Sequence, residues 1–182
     1  DLACGNGDIA ALLRERFPDA RITAIDITPA MLARARARLA AKAVRCEQRD
    51  MMRTGLTANA ADVVTIAYGL RNAPDLRGAL AEVSRILRPG GCLGVLDFSR
   101  CDGRRAAAVE LFLLRVWGGL WGWLRTRNSG TYGYIAESLA VFPRRRAFHA
   151  LLNEYGFDIQ STRRGFFGFV ELLVARKRDG GT

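Results

Sequence analysis

Apolar positions in this chain follow two periods that alternate along its length. Apolar residues recurring every three or four positions predict helices over residues 9–17, 29–39, 76–87 and 144–155. Short β-rich stretches between them predict strands over residues 21–26, 43–49, 61–68 and 92–98. This order is typical of an α/β fold with a doubly wound, mostly parallel sheet. Two β-rich runs, 159–166 and 169–176, follow closely on one another and predict a terminal antiparallel hairpin.

Local signals support the boundaries of these elements. The first helix carries Ile9, Leu12, Leu13 and Phe17 on one face. Thr28 can cap the second helix, with a proline in its first turn. The third helix is followed by Arg-Pro-Gly-Gly at 88–91, a stop-and-turn signal.

The most apolar stretch, residues 106–124, contains all three tryptophans of the chain. Its 19 residues approach membrane-spanning length, but Glu110, Arg115 and several glycines interrupt it. Two interpretations stay open: a helix packed on the core, or a helical cover that binds an apolar substrate tail or dips into a bilayer interface. We therefore predict one domain over residues 1–178, with a helical cover over about 101–143 and a disordered tail at 179–182.

Composition narrows the classes of function. The chain of 182 residues is 49% hydrophobic and 25% charged, as in ordinary globular domains. Four scattered cysteines and a single histidine, His149, argue against a metal site. The net charge of +10 is compatible with nucleic acid or an anionic membrane surface, although solvated helix faces account for most of the arginines. No signal-peptide pattern opens the chain; it begins inside a motif, which suggests truncation.

The first residues contain a glycine loop between the end of a strand and the start of a helix. Gly5 and Gly7 can adopt positive φ and let a ligand approach the backbone closely. Asp26, which ends the next predicted strand, lies 19 residues after Gly7, near the interval of about 20 at which an acid binds ribose hydroxyls. Loop, helix and acid together favour a ligand with a ribose and an anionic or zwitterionic part over a purely structural turn.

Polar residues also end the other predicted strands. Asp50, Ala67–Tyr68 and Asp97 follow or close successive strands. Ligands of open α/β sheets bind beyond these carboxyl ends. We therefore expect a site at this edge, although such acids can also merely cap loops.

At this point the sequence resembles a known family. The first eight residues, Asp-Leu-Ala-Cys-Gly-Asn-Gly-Asp, resemble the first motif of class I S-adenosylmethionine-dependent methyltransferases. The stretches Gly-Leu-Arg-Asn at 69–72, Leu-Asp-Phe-Ser at 96–99 and Tyr-Ile-Ala-Glu-Ser at 134–138 resemble the ubiquinone/menaquinone biosynthesis C-methyltransferase family more specifically. The resemblance runs from residue 1 to about 177 and lacks the family's N-terminal segment.

The resemblance implies a site for S-adenosyl-L-methionine. Gly5, Asn6 and Gly7 would hold the methionine part, and Asp26 the ribose. The sequence departs from the family at Asn6, where threonine is usual, and at Ala67, where serine is frequent. The implied set of cofactor-binding residues is Asp1, Gly5, Asn6, Gly7, Asp26, Ile27, Asp50, Met51 and Ala67, with Asp50 and Met51 beside the adenine.

The resemblance also implies the chemistry. Methyl transfer to an aromatic carbon needs a phenol that loses its proton, and a nearby cation favours the charged form. Arg71 is the implied catalytic residue that polarises the phenol or positions a water, and Asn72 orients that water or the hydroxyl. A salt bridge from Arg71 to Asp75 or Asp97 is the structural alternative. Tyr132, Tyr134 and Glu137 are candidates for the substrate wall, and no metal is needed.

These expectations describe a methyltransferase acting on a prenylated quinol, in the cytoplasm and at the inner face of the membrane. Another small phenol or lipid is an alternative acceptor. A nicotinamide-dependent oxidoreductase is a second alternative because Gly5, Gly7 and Ala10 satisfy the dinucleotide spacing. An RNA methyltransferase and a non-catalytic membrane-associated module are further alternatives. We expect no nucleic-acid partner, and homo-oligomerisation stays open.

Overall fold

The computed structural model describes residues 1–103, residue 112 and residues 137–179. The described helices are α1 (Asp8–Arg16), α2 (Pro29–Leu39), α3 (Leu76–Ile86) and α4 (Arg145–Glu154), and residues 137–141 are also helical. Most of the predicted cover at 101–143 and most of the tail at 179–182 lie outside the described residues.

The described strands follow the predicted order closely. They are β1 (Thr23–Asp26), β2 (Arg45–Gln48), β3 (Ala61–Ala67), β4 (Leu87–Phe98), β5 (Phe157–Gly165) and β6 (Val170–Lys177). Short 3-10 helices, Leu70–Asn72 and Phe166–Gly168, follow β3 and β5. The second helix has the predicted bounds, and the other elements differ by a few residues at their ends.

The strands form a mixed sheet in the order β2, β1, Leu2, β3, β4, β6, β5. β1 pairs in parallel with β2, and β3 with β4. Leu2 bridges Ile25 and Ile66 in parallel, so it occupies a central position of the sheet between β1 and β3. β6 is antiparallel to both β4 and β5. The predicted doubly wound, mostly parallel sheet with a terminal antiparallel hairpin is therefore confirmed.

Two apolar clusters hold helices against this sheet. The larger joins α3 and α4 to β3, β4 and β6 through fully buried side chains such as Leu80, Leu93 and Leu152. The smaller joins α1 and α2 to β1 through Ala24 and Leu32. Both clusters leave the carboxyl ends of the parallel strands clear for a ligand.

The apolar face predicted for α1 is confirmed at Leu13, which packs against the core, but is wrong at Leu12 and Phe17. Leu12 and Phe17 are 59% and 53% exposed, whereas Ala10 and Ala11 are buried. The reason is the close approach of this helix to α2: a Cβ added at Gly7 would lie 2.9 Å from Leu39 Cδ1. Ala10 and Ala11, which follow Gly7, share a buried cluster with Leu32, Ala35 and Leu39 of α2.

The turn predicted at residues 88–91 lies inside β4 rather than before it. Ala61 pairs with Leu87 but Val63 pairs with Cys92, so the intervening residues form a bulge in β4. Gly90 adopts φ +71° there, which glycine accommodates readily. The Arg-Pro-Gly-Gly stretch therefore marks the end of α3 as predicted. The chain does not form a separate turn there, because these residues already belong to β4.

A buried polar contact joins α3 to the loop after β2. The amide and hydroxyl of fully buried Thr54 donate to Glu82 Oε1 at 2.9 and 2.5 Å, and Arg85 Nε donates to Glu82 Oε2 at 2.7 Å. The hydrogen bond from Arg85, assisted by those from Thr54, lowers the pKa of Glu82 from 4.5 to about 2. The ionised carboxylate therefore stabilises the fold.

We expect Glu82→Gln to lower the free energy of unfolding at pH 7 by about 1–3 kcal/mol, because a charged acceptor of buried donors is lost. Since the folded-state pKa lies below the usual value, this contribution is complete above about pH 4.5 and is lost as pH falls towards 2. Urea unfolding should show a difference between wild type and variant that is smaller at pH 3 than at pH 7. An unchanged difference would contradict the prediction. Glu154→Gln, at an exposed ion pair with Arg77, is the control and should change little.

Candidate active site

A cavity of about 690 Å³ opens at the carboxyl ends of the parallel strands. Its volume falls within the usual range for sites that bind small molecules. The glycine loop, the end of β1, the loop after β2 and the end of β3 contribute its walls. Its described lining includes Asp1, Ala3, Cys4, Gly5, Asn6, Asp8, Ile9, Asp26, Ile27, Thr28, Met31, Arg49, Asp50, Met51, Met52, Ala67, Tyr68, Gly69, Asn72, Pro74 and Leu96.

The glycine loop has the backbone that the sequence predicts. Gly5 and Gly7 adopt φ +53° and +79°, and Ala3 also lies in the left-handed region at +50°. The Gly5 amide donates to Asp26 Oδ2 at 2.8 Å, which fixes the loop against the end of β1. At Gly5, where nothing lies within 4 Å of an added Cβ, the loop therefore presents bare backbone to the cavity.

Asp26 is a buried carboxylate held in a fixed orientation, 8% exposed. Its Oδ2 accepts from the Gly5 amide, and its Oδ1 accepts from the Thr28 amide at 2.8 Å. A carboxylate has about four acceptor positions, so each oxygen can accept a further hydrogen bond. Two such oxygens at the cavity wall suit a pair of adjacent hydroxyl groups.

Thr28 stands at the N-cap of α2 as predicted, but its hydroxyl makes no capping bond.

Two buried acceptors border the same cavity without a donor. Asp1 Oδ1 accepts from Thr65 Oγ1 at 2.8 Å, while Asp1 Oδ2 and Asn6 Oδ1 are buried without a hydrogen-bond partner among the described residues. Buried polar atoms are nearly always paired in folded proteins, and unpaired ones are costly. These oxygens indicate a ligand that brings hydrogen-bond donors, such as an ammonium group.

The other side of the cavity is largely apolar. Ile27 and Met31 are exposed at 60% and 38%, and Met51 and Met52 are half-buried. Asp50 Oδ1 accepts from the Met52 amide at 2.8 Å, which fixes the loop after β2. Flexible thioether side chains beside a carboxylate suit a flat ring with a polar edge.

Tyr68 forms a strained corner where β3 ends. It adopts φ +56°, a conformation uncommon for a bulky residue, and is 40% exposed. A Cβ added at the next residue, Gly69, would lie 2.6 Å from Ala3 Cβ, so the chain after β3 runs directly against the glycine loop. Burial, together with the carboxylate of Asp97, raises the pKa of Tyr68. This phenol therefore stays neutral and can face an aromatic substrate.

Arg71 forms the salt bridge that the sequence analysis kept as its structural alternative. Its Nη1 lies 2.6 Å from Asp97 Oδ1, and both side chains are almost completely buried. The guanidinium also lies 5.6 Å from the ring centroid of Tyr68 and 5.1 Å from that of Phe98. Burial raises the pKa of Asp97, and the Arg71 guanidinium opposes this effect.

Cys4, in the cavity wall, has a thiol that stays protonated at neutral pH. Burial of Cys4, with a further contribution from the nearby Asp26 carboxylate, raises the pKa of its thiol to about 11. The thiolate is the nucleophilic form of cysteine, so at neutral pH this residue is not a nucleophile. Cys4 is therefore a wall residue of the cavity.

Most of the predicted site residues come together at this cavity. Arg71 is behind the wall, Gly7 supports the loop against α2, and Glu137 is exposed and does not border the cavity among its described lining. Tyr132 and Tyr134 lie outside the described residues. The predicted residues that line the cavity are Asp1, Gly5, Asn6, Asp26, Ile27, Asp50, Met51, Ala67 and Asn72.

Several lining residues were absent from the prediction. Tyr68 lies at one of the strand ends where a site was expected, but it was not among the predicted site residues; the structure places it in the cavity wall. Met31 and Met52 carry no signal in the sequence, because an isolated methionine in a helix or loop is usually a packing residue. Their place at the cavity follows only from the way that α2 and the loop after β2 fold over β1.

The amino-acid sequence of this chain is similar to those of known methyltransferases. The model of the ubiE/COQ5 methyltransferase family matches residues 1–177. A demethylmenaquinone methyltransferase from Thermus thermophilus is 39% identical over 163 residues, which cover 88% of this chain and 74% of the relative. A ubiquinone/menaquinone biosynthesis C-methyltransferase from Dinoroseobacter shibae is 35% identical over 177 residues, covering 94% of this chain and 70% of the relative.

The fold has solved counterparts. A SAM-dependent methyltransferase from Aquifex aeolicus superposes with a TM-score of 0.68 over 97% of this chain and 79% of its own. At 15% identity this similarity concerns the fold alone. It agrees with the mixed Rossmann-like sheet described above.

Proposed function

The chain belongs to the ubiE/COQ5 methyltransferase family, and on this premise we propose that it methylates a ring carbon of a prenylated quinol in the cavity described above. It is an S-adenosylmethionine-dependent C-methyltransferase of quinone biosynthesis, as its family and relatives indicate. This membership favours methyl transfer over the nicotinamide-dependent alternative. The observation that carries the proposal is that the buried carboxylate of Asp26 and the buried, unpaired Oδ2 of Asp1 border one cavity.

The chemistry of the cavity wall fits S-adenosylmethionine. The fixed Asp26 carboxylate would hold the two ribose hydroxyls, and the unpaired Asp1 Oδ2 and Asn6 Oδ1 would accept from the ammonium group. Ile27 and Met51 would enclose the adenine, with Asp50 at its edge. When bound there, the cofactor supplies an electrophilic methyl group.

Arg71 and Asn72 would act on the acceptor. We propose that Asn72, which borders the cavity, orients the acceptor hydroxyl or the water that removes its proton. Because Asp97 balances its formal charge, Arg71 would favour the phenolate form from behind the wall through the orientation of this ion pair rather than through net positive charge. Its ion pair with Asp97 would hold the guanidinium in place, so the charge needs no rearrangement during the reaction.

The outer part of the substrate site stays a proposal. Tyr132, Tyr134 and Glu137 would contact the acceptor, and the apolar stretch at 106–124 would shelter its prenyl tail. Among the described residues, no helix is both long and apolar enough to cross a bilayer. We propose action in the cytoplasm at the inner membrane face, without a nucleic-acid partner. The oligomeric state stays open.

The test measures S-adenosylhomocysteine release by the purified chain. We expect release with a prenylated benzoquinol or naphthoquinol, together with a product heavier by one methyl group. The matched oxidised quinone should give none, because it lacks the ionisable hydroxyl that activates the ring. Turnover with another phenol and none with either quinol would replace the proposed acceptor. A fluorescence titration in which NADH binds while S-adenosylhomocysteine does not would overturn methyl transfer.

A further inference from the structure

The hairpin formed by β5 and β6 carries an exposed aromatic side chain at its tip. Phe166 is 78% exposed and adopts φ +49°, between Gly165 and Gly168. A bulky residue in the left-handed region is strained, and an aromatic side chain in water gains nothing from burial. The packing of the domain therefore does not explain why an aromatic residue occupies position 166.

Arginines flank this tip. Arg163 and Arg164 are exposed on opposite faces of the sheet at the end of β5. The side chain of Arg146 is 89% exposed at the start of α4. Arg144 is partly exposed beside it. Asp102 lies 3.6 Å from Arg146 and offsets one of these charges. The tip is therefore an apolar group within a region of positive charge.

Hydrogen bonds bring these segments to one edge of the sheet. Ser99, directly after β4, donates its amide to Phe169 O at 2.8 Å, and Arg145 Nη2 donates to Gly168 O at 3.1 Å. Arg100 Nη1 donates to Ala140 O at 2.7 Å, next to Val141, which is 83% exposed. We name this surface the hairpin edge and define it as Val141, Arg144, Arg146, Arg163, Arg164 and Phe166.

The hairpin edge lies at the same end of the sheet as the cavity, and partly exposed apolar residues connect them. Leu96 borders the cavity and pairs across the sheet with Leu172, which is 44% exposed. Phe98 pairs with Val170, and its ring centroid lies 5.5 Å from that of Tyr68 in the cavity wall. An apolar strip therefore runs from the cavity to the hairpin.

We propose that the hairpin edge docks on an anionic lipid bilayer and brings the cavity to the membrane surface. Basic residues near an anionic leaflet are attracted to it, and an aromatic side chain among them can enter the headgroup region. Its use in delivering an apolar-tailed substrate rests on the proposed function. A nucleic acid fits less well, because single-stranded binders align several aromatic rings along a basic groove.

The test measures binding of the full chain to vesicles by co-sedimentation. Vesicles of equal parts phosphatidylglycerol and phosphatidylcholine should bind the chain, and pure phosphatidylcholine vesicles should bind it weakly. Arg163→Gln/Arg164→Gln should weaken binding to the anionic vesicles about thirtyfold, equivalent to about 1 kcal/mol per arginine. Phe166→Ser should weaken it about fivefold, and Phe166→Trp should retain binding, since tryptophan suits the interface.

Arg21→Gln/Arg88→Gln is the matched control. It removes the same charge from exposed positions next to the amino ends of β1 and β4, and should leave vesicle binding nearly unchanged. Equal weakening by both double variants would overturn the proposal, because total charge would then suffice. So would equal binding to both kinds of vesicle, or binding to single-stranded RNA in place of vesicles.

Calorimetry with S-adenosylhomocysteine separates this proposal from the methyltransferase function. Cofactor binding that persists in the hairpin-edge variants while vesicle binding falls supports docking by this surface. Vesicle binding with no cofactor binding in any variant would remove the proposed function and leave the docking surface standing. Thermal unfolding of each variant identifies any loss that comes from misfolding, and Phe166→Trp then provides the decisive comparison.

Discussion

Asp26→Ala is expected to weaken binding of S-adenosylhomocysteine at least about a hundredfold. The wild-type carboxylate is buried, fixed by the Gly5 and Thr28 amides, and still has free acceptor positions at the cavity. A hydrogen bond to a charged group contributes about 1.5–3 kcal/mol, and the ribose offers two hydroxyls. Isothermal titration calorimetry measures the loss.

The same carboxylate also holds the glycine loop, so the variant tests two roles together. Asp26→Asn keeps one oxygen acceptor and most of the shape, and should bind with intermediate affinity. Asp19→Ala, at an exposed acid in the loop before β1, is the matched control and should bind normally. Undiminished binding by a folded Asp26→Ala variant would show that Asp26 does not contact the cofactor.

Arg71→Ala is expected to lower the free energy of unfolding by about 3–5 kcal/mol, because it leaves a buried charge without its partner. Asp97 lies 2.6 Å from the guanidinium and is almost completely buried. Without Arg71, burial dominates at Asp97 and raises its pKa further. Urea unfolding measures the loss, and Arg77→Gln, at an exposed ion pair, should change stability by less than about 1 kcal/mol.

This instability means that lost turnover in Arg71→Ala would not by itself identify a catalytic residue. The neutral pair Arg71→Gln/Asp97→Asn removes both charges while keeping groups that can hydrogen-bond, and should recover most of the lost stability. If Arg71 acts on the phenol, this double variant still binds S-adenosylhomocysteine but turns over at least about a hundredfold more slowly. Normal turnover by the double variant would assign Arg71 a purely structural role.

The fold was predictable where local patterns decide it. The helix at Pro29–Leu39 has the predicted bounds because a proline start and strong helix formers act within a few residues. The closing hairpin followed from two β-rich runs separated by a glycine. The face of α1 was predictable only in part: Leu12 and Phe17 have the right spacing but are exposed, because the helix packs on α2 through Ala10 and Ala11.

Some residues of the candidate site were likewise predictable from the sequence, and others were not. The glycine loop and Asp26 were readable because positive φ and a strand-end acid are properties of single residues at a characteristic spacing. The family resemblance, confirmed over residues 1–177, supplied the cofactor and the reaction. Met31 and Met52 were absent from the predicted set, since nothing in their own neighbourhood along the chain distinguishes them from packing residues.

The sequence by itself determined the order of strands and helices, the ligand-binding loop and the family, because these depend on residue types at short, regular spacings. Only the tertiary structure decided which side chains meet across long separations. Asp97 holds Arg71, two unpaired oxygens at Asp1 and Asn6 share a cavity, and the arginines of α4 and β5 reach one edge. Such meetings depend on how closely layers pack and on strand register, which no local pattern specifies.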